Sequence, residues 1–217
     1  MRIKKEGKGI MKLKKRTKIT LGIIVVLVIA VVGFLIFRHF HSSGNIEEAK
    51  IISSIEEYGY SLKDNKNATY KKMFNELKDI LEKEEIDYDK YASKISEMFI
   101  YDFYSLEDKV AKNDIGGVQF ISPEIISNFL ENAESTYYKY VESNIYGTRK
   151  QDLPMVDKVN IDSIEQEEFT AGDVTDQIAY QIKVSWNYTD DNYSDYQSSA
   201  TMILMHQDKK LNIVELQ

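Results

Sequence analysis

Cysteine is absent from the 217 residues, and proline occurs only twice, tryptophan once and histidine three times. Without cysteine there are no disulfides, no thiolate metal sites, no cysteine nucleophile and no lipid attachment through a cysteine. This composition is compatible with an envelope protein of a bacterium that does not rely on disulfides. The histidines are spread thinly. His39 and His41 have no carboxylate or third ligand beside them, and His206 stands alone near the end of an apolar segment. No metal site is expected from them. Sequences of the form G-x-S-x-G and H-E-x-x-H do not occur, and Lys66, two residues after Asp64, spoils the one stretch that could open a calcium loop.

Acidic charge is nearly missing from the start of the chain. Residues 1–18 carry nine basic groups against one acid, Glu6, a balance of +8. Subtracted from the net charge of −7, this leaves −15 for residues 19–217. So acidic a body repels nucleic acid and other polyanions, and no nucleic-acid partner is expected for it.

Between Ile19 and Phe37 there are 19 residues without a charge. At about 1.5 Å of rise per residue, a helix of that length spans a bilayer's hydrocarbon core. A cleavable leader has a shorter apolar stretch and ends in small residues, whereas this one runs into "FLIFRHFHSSG". The expectation is a retained anchor. The basic flank resists translocation, which puts residues 1–18 in the cytoplasm as a tail and everything after Phe37 outside. Residues 38–45, ending in "HSSGN", form a short joint, and residues 46–217 form one extracytoplasmic domain.

Within that domain the apolar period is first helical. Ile51, Ile52, Ile55, Tyr58 and Leu62 make one stripe, Tyr70 to Leu81 a second and Tyr88 to Phe103 a third. "KNDIGGVQF" follows as a turn whose glycines permit positive φ, leading to a short extended piece at Val118 and Phe120. A fourth helix is expected from Ser122 as cap and Pro123 at its first position, burying Ile126, Phe129, Leu130, Ala133, Tyr137 and Tyr140 or Val141. Beyond Pro154 the period changes to two. Strands are expected from Val156 to Phe169, along "QIAYQIKVSWNYTD", from Tyr196 to Gln207 and from Leu211 to Leu216, as an antiparallel meander. Helices followed by a curved antiparallel sheet make an α+β domain.

This order of elements over residues 46–217 resembles the NTF2-like fold, a cone of antiparallel sheet wrapped around helices. With a basic tail and one membrane span in front of it, the layout is similar to the VirB8-type assembly proteins of type IV secretion and conjugation. "MFIYDFYSLEDKVAKNDIGGVQF" and "YKYVESNIYG" also resemble stretches of membrane-anchored proteins of Gram-positive bacteria. These resemblances imply a non-catalytic, single-pass membrane protein whose outer domain binds other envelope proteins or itself, with conjugation or secretion as one setting. The alternative is a small-ligand or enzymatic pocket inside the cone.

The paired carboxylates Glu47/Glu48, Glu56/Glu57, Glu84/Glu85 and Asp190/Asp191 lie on polar faces and turns, so no catalytic residue is assigned. No cofactor is expected. The aromatic residues are the exception. Of fifteen tyrosines, Tyr180 and Tyr188 share an alternating strand face with Trp186. They either line a cavity or mark a partner surface, against the plainer alternative of ordinary sheet-to-helix core.

Overall fold

Two of the expected helices begin where a side chain caps them. In a computed structural model, which describes residues 49–217, Asn67 Oδ1 accepts from the Tyr70 amide (2.9 Å) and Asp87 Oδ1 from the Lys90 amide (3.1 Å). Each cap satisfies an amide that the first helical turn leaves unpaired. Behind them run α1 (Ala68–Leu81) and α2 (Tyr88–Tyr104). α1 buries one stripe, Tyr70, Met73, Phe74, Leu77 and Leu81. Its partner is buried on most of its circumference from Tyr91 onward, which makes α2 the axis of the core. The basic tail, the apolar span with its aromatic flank, the joint, His39 and His41 lie outside the described residues. Among the described residues no helix is long and apolar enough to cross a membrane.

The first expected helix is a correction. Its stripe folds as a hairpin, β1 (Ile51–Ile55) and β2 (Tyr60–Lys63), around one 3-10 turn at Glu56–Tyr58. Gly59, at φ +67°, takes the left-handed conformation that closes this turn, and β-branched Ile51, Ile52 and Ile55 favour strand over helix. β2 then alternates, with Tyr60 and Leu62 inward.

The fourth helix is also shorter than expected. α3 covers Ile126–Ser135, and Ser122 does not cap it. The Ser122 amide donates to the Ile213 carbonyl (2.9 Å) and Ile121 bridges Ile213, so the chain there lies extended along a sheet edge. The Ser122 hydroxyl turns to Glu124 instead. Within α3 only Ala133 is fully buried; Ile126 and Phe129 are half-buried, and beyond the helix it is Tyr138 and Val141 that are buried, with Tyr140 exposed at 75%. Val118–Phe120, expected as extended, is a 3-10 turn.

The sheet follows the expected meander. β3 (Val156–Ala171), β4 (Val174–Tyr188), β5 (Ser199–Gln207) and β6 (Lys210–Leu216) pair antiparallel in sequence order and curve, with three register shifts between β3 and β4. Tyr180, Ile182, Val184 and Trp186 face the helices, as do Leu204, Leu211 and Ile213. Ile178, placed on that face by the alternation, is 53% exposed, because β4 pairs with β5 only from Tyr180 onward. Among the described residues the architecture is α+β, with three helices and a curved antiparallel four-stranded sheet.

Candidate functional site

A long strand that ends in aromatics, facing a helix that ends in aromatics, brings rings together at one end of the sheet. Tyr104, the last residue of α2, lies 4.3 Å from Trp186, centroid to centroid, and 5.0 Å from Tyr137. Phe103 contacts Phe99 (5.4 Å), Phe129 (5.3 Å) and Tyr137 (5.8 Å). At the margin, the hydroxyls of Tyr137 and Tyr188 meet at 3.3 Å, and the Tyr188 hydroxyl donates to the Gln197 carbonyl (2.7 Å). An open groove of about 460 Å³ lies between α3 and the end of β6, with Tyr104, Phe129, Asn132, Tyr137, Gln197 and Leu216 among its walls. The groove exists because α3 buries so little of itself, leaving Asn128, Asn132 and Thr136 on its open side.

Of the three aromatic residues singled out by the alternation, two belong to this cluster and one does not. Trp186 is 1% exposed and lies tilted against Tyr104 of the groove wall, and half-buried Tyr188, bonded to Tyr137 of that wall, reaches the 189–198 loop, touching Tyr193 (6.2 Å) and Tyr196 (6.3 Å). Tyr180 lies six residues from Trp186, a separation of roughly 20 Å along the strand. There it accepts from Gln166 Nε2 (2.6 Å), 1% exposed. Burial pushes the Tyr137, Tyr104 and Tyr188 hydroxyls above their ordinary range. They are uncharged at neutral pH, and those of Tyr137 and Tyr188 act as hydrogen-bonding tips on apolar rings.

Large apolar side chains are also exposed on the segments that follow Tyr137 and Tyr188. Tyr196 (46% exposed) borders Tyr188, and the segment that follows Tyr137 presents Tyr140 (75%), Ile145 (41%) and Tyr146 (70%).

Two buried polar networks escaped the periodicity. Asp102 lies in the apolar run "MFIYDFY" at 5% exposure. Its Oδ1 accepts from Lys66 Nζ (2.6 Å) and Lys109 Nζ (3.1 Å), and its Oδ2 from the Gly117 amide (2.9 Å). Burial alone would raise the Asp102 carboxyl, but Lys109 and Lys66 hold it well below the usual carboxylate range. Gly116 and Gly117 are required there: a Cβ on Gly116 would stand 2.1 Å from the Asp102 carbonyl oxygen, and one on Gly117 would stand 2.6 Å from the Phe99 ring at φ +74°. The glycine pair therefore makes the turn expected of it and approaches a helix closely. In the second network Tyr60 donates to the Leu211 carbonyl (3.0 Å), Tyr91 accepts from the Leu211 amide (3.0 Å), and the two hydroxyls meet at 2.7 Å. The one available signal was a lone acid at a core position of an apolar helix, Asp102, since such a residue demands a partner. Nothing local marks Tyr60 and Tyr91.

His206 forms a contact with Asp176 (Nδ1 to Oδ2, 2.8 Å). Among the described residues no group of three or more metal-binding side chains converges. Comparison with protein-family models, with curated proteins and with solved structures returned no match for this chain.

Proposed function

We propose that this is a bacterial single-pass membrane protein, anchored by Ile19–Phe37 with its N-terminus in the cytoplasm, whose NTF2-like outer domain assembles with other envelope proteins without catalysing a reaction. The observation that carries the reading is the aromatic groove between α3 and β6, together with the exposed Tyr140, Ile145, Tyr146 and Tyr196. Tyrosine is over-represented at the centres of protein interfaces, because its ring covers apolar area while its hydroxyl hydrogen-bonds. Isolated exposed apolar residues are ordinary; several of them on the two segments that leave the aromatic cluster beside an open groove favour a contact surface. The domain's strongly acidic balance suits a partner with basic groups around an apolar centre. By its resemblance to VirB8-type proteins, the setting is a conjugation or secretion assembly.

A bulky side chain in the groove tests this. Asn132 is exposed on α3 and lines the groove, so Asn132→Trp fills it without touching the core. The partner that chemically cross-links to the full chain in cells is expected to be lost from the variant. Recovery of the same cross-linked partner at the same yield would overturn the assignment of this surface.

The groove's volume supports a second reading. About 460 Å³ lined by aromatic and amide side chains falls within the range of small-molecule sites, and a ligand held between α3 and the sheet would make this a ligand-binding domain. The same variant separates the two: a ligand site loses its small molecule while protein cross-links persist.

A further inference from the structure

β6 is the last strand of its sheet, and among the described residues no strand of that sheet lies on its far side. An edge of this kind carries backbone N–H and C=O groups that pair readily with another chain. Part of it is filled from within. The Ser122 amide donates to the Ile213 carbonyl (2.9 Å), and Ile121 bridges Ile213 in parallel, before the chain turns off into α3. Beyond Ile213 that internal strand is gone. Thr201 and Gln217 each donate to the other's carbonyl (2.9 Å both), which makes Leu216, one residue earlier, a non-bonded partner of Met202. In an antiparallel pair such a residue turns its N–H and C=O away from the strand it faces, so those of Leu216 point away from β5.

The open groove lies along this edge. Val214 packs with the small apolar cluster on the outer face of the sheet and Leu216 with the main core on the inner face, yet both line the groove. Residues on opposite faces of one strand share a groove only where it runs along the strand's edge. From the other wall α3 contributes Asn128 and Asn132, one helical turn apart, and the 189–198 loop adds Gln197. Carboxamides both donate and accept, as the backbone of an incoming chain requires of its neighbours. Glu215 is the one charged residue in the lining.

We propose that the partner protein enters this groove as an extended segment and adds to the sheet as a strand, pairing its backbone with the N–H and C=O of Leu216. Asn128 and Asn132 then serve the polar groups that the segment turns toward α3. A lysine or arginine of the segment lies by Glu215, and an acidic segment is repelled both there and by the −15 body. The inference rests on the assembly role proposed above and gives the partner's binding element its form: extended, and neutral or basic.

The test separates backbone from side chain at one position. The full chain, with a photo-cross-linking amino acid at Thr136, is irradiated in living cells in three forms: with Leu216, with Leu216→Pro, which has no amide hydrogen, and with Leu216→Ala, which keeps it and trims the side chain. An adduct with another protein is expected from the first. Leu216→Pro is expected to lower its yield about tenfold, and Leu216→Ala to lower it less. Because proline also frays a strand end, exchange of the Leu216 amide is read in the free chain and in the purified adduct. It is expected to be faster than that of Gln217 in the free chain and to slow about tenfold in the adduct. An adduct that forms equally well with Leu216→Pro, or that leaves Leu216 exchange unchanged, overturns the strand pairing while the assembly role stands. Equal losses in Leu216→Pro and Leu216→Ala assign the contact to the side chain and overturn it too. An adduct at twice the mass of the chain overturns the choice of occupant, giving the edge to a second copy. No adduct from the chain with Leu216 overturns the assembly role, and the pairing with it.

Discussion

At Asp102 one carboxylate joins α2, the residue preceding α1's cap and the glycine turn, because its two oxygens accept from Lys66, Lys109 and Gly117. Removing one partner of a buried ion pair leaves the others desolvated and unpaired, at a cost of about 3–5 kcal/mol. Asp102→Asn is therefore expected to lower the urea midpoint of the full chain, read by the fluorescence of Trp186, the only tryptophan and 1% exposed. A change below about 1 kcal/mol would contradict the role given to the pair. The pH dependence has a definite direction. The folded carboxyl lies below its unfolded value, so its contribution is complete above about pH 4 and fades as the pH falls toward the folded value. The gap between wild type and Asp102→Asn should narrow on acidification. Lys109 gives the opposite flank: its ammonium is raised by Asp102 and Asp108 against the burial that lowers it, so that contribution is present at neutral pH and is lost only in strong base.

Among the elements, the hairpin of β1 and β2 and the edge of β6 are joined through Tyr60, Tyr91 and Leu211. Tyr91→Phe removes the acceptor of the Leu211 amide and the donor that completes the Tyr60 hydroxyl. Its expected cost is about 1–3 kcal/mol, and amide exchange at Leu211 should accelerate relative to Ile182 in the sheet centre. Unchanged exchange at Leu211 would show that the tyrosine pair is not what holds β6. This contact also explains what local pattern could and could not show. α1, α2 and the four-stranded meander were legible because each has a long apolar period, and the meander a clear turn after Tyr188. Ile51 to Leu62 fits a helical stripe equally well, and only Gly59 and the β-branched residues argue otherwise; docking of Tyr60 on Tyr91, 31 residues away, decides the matter. Ser122 carried the signs of a cap, yet pairing of its amide with Ile213, far along the chain, took precedence. The groove itself was not legible: Trp186 and Tyr188 stood out by their alternation but contact its walls, Tyr104 and Tyr137, without lining it, and Asn132, Thr136 and Gln197 come together only through the packing of α3 against the end of β6.

For the whole molecule, sequence sets a +8 tail and an uncharged span before a body of −15. The account expects protease added to intact protoplasts to digest the domain and leave a short membrane-protected fragment containing residues 1–37. A domain that survives until the protoplasts are lysed would contradict the orientation. Beyond topology, the central claim is that the open side of α3 receives another envelope protein. The most direct measurement places a photo-cross-linking amino acid in living cells at Thr136 or Gln197 on the groove, and at Lys72 on the exposed face of α1 as control. The account predicts a discrete protein adduct from Thr136 and Gln197 and none from Lys72. Adducts at Lys72 alone, or none at either groove position, would contradict it.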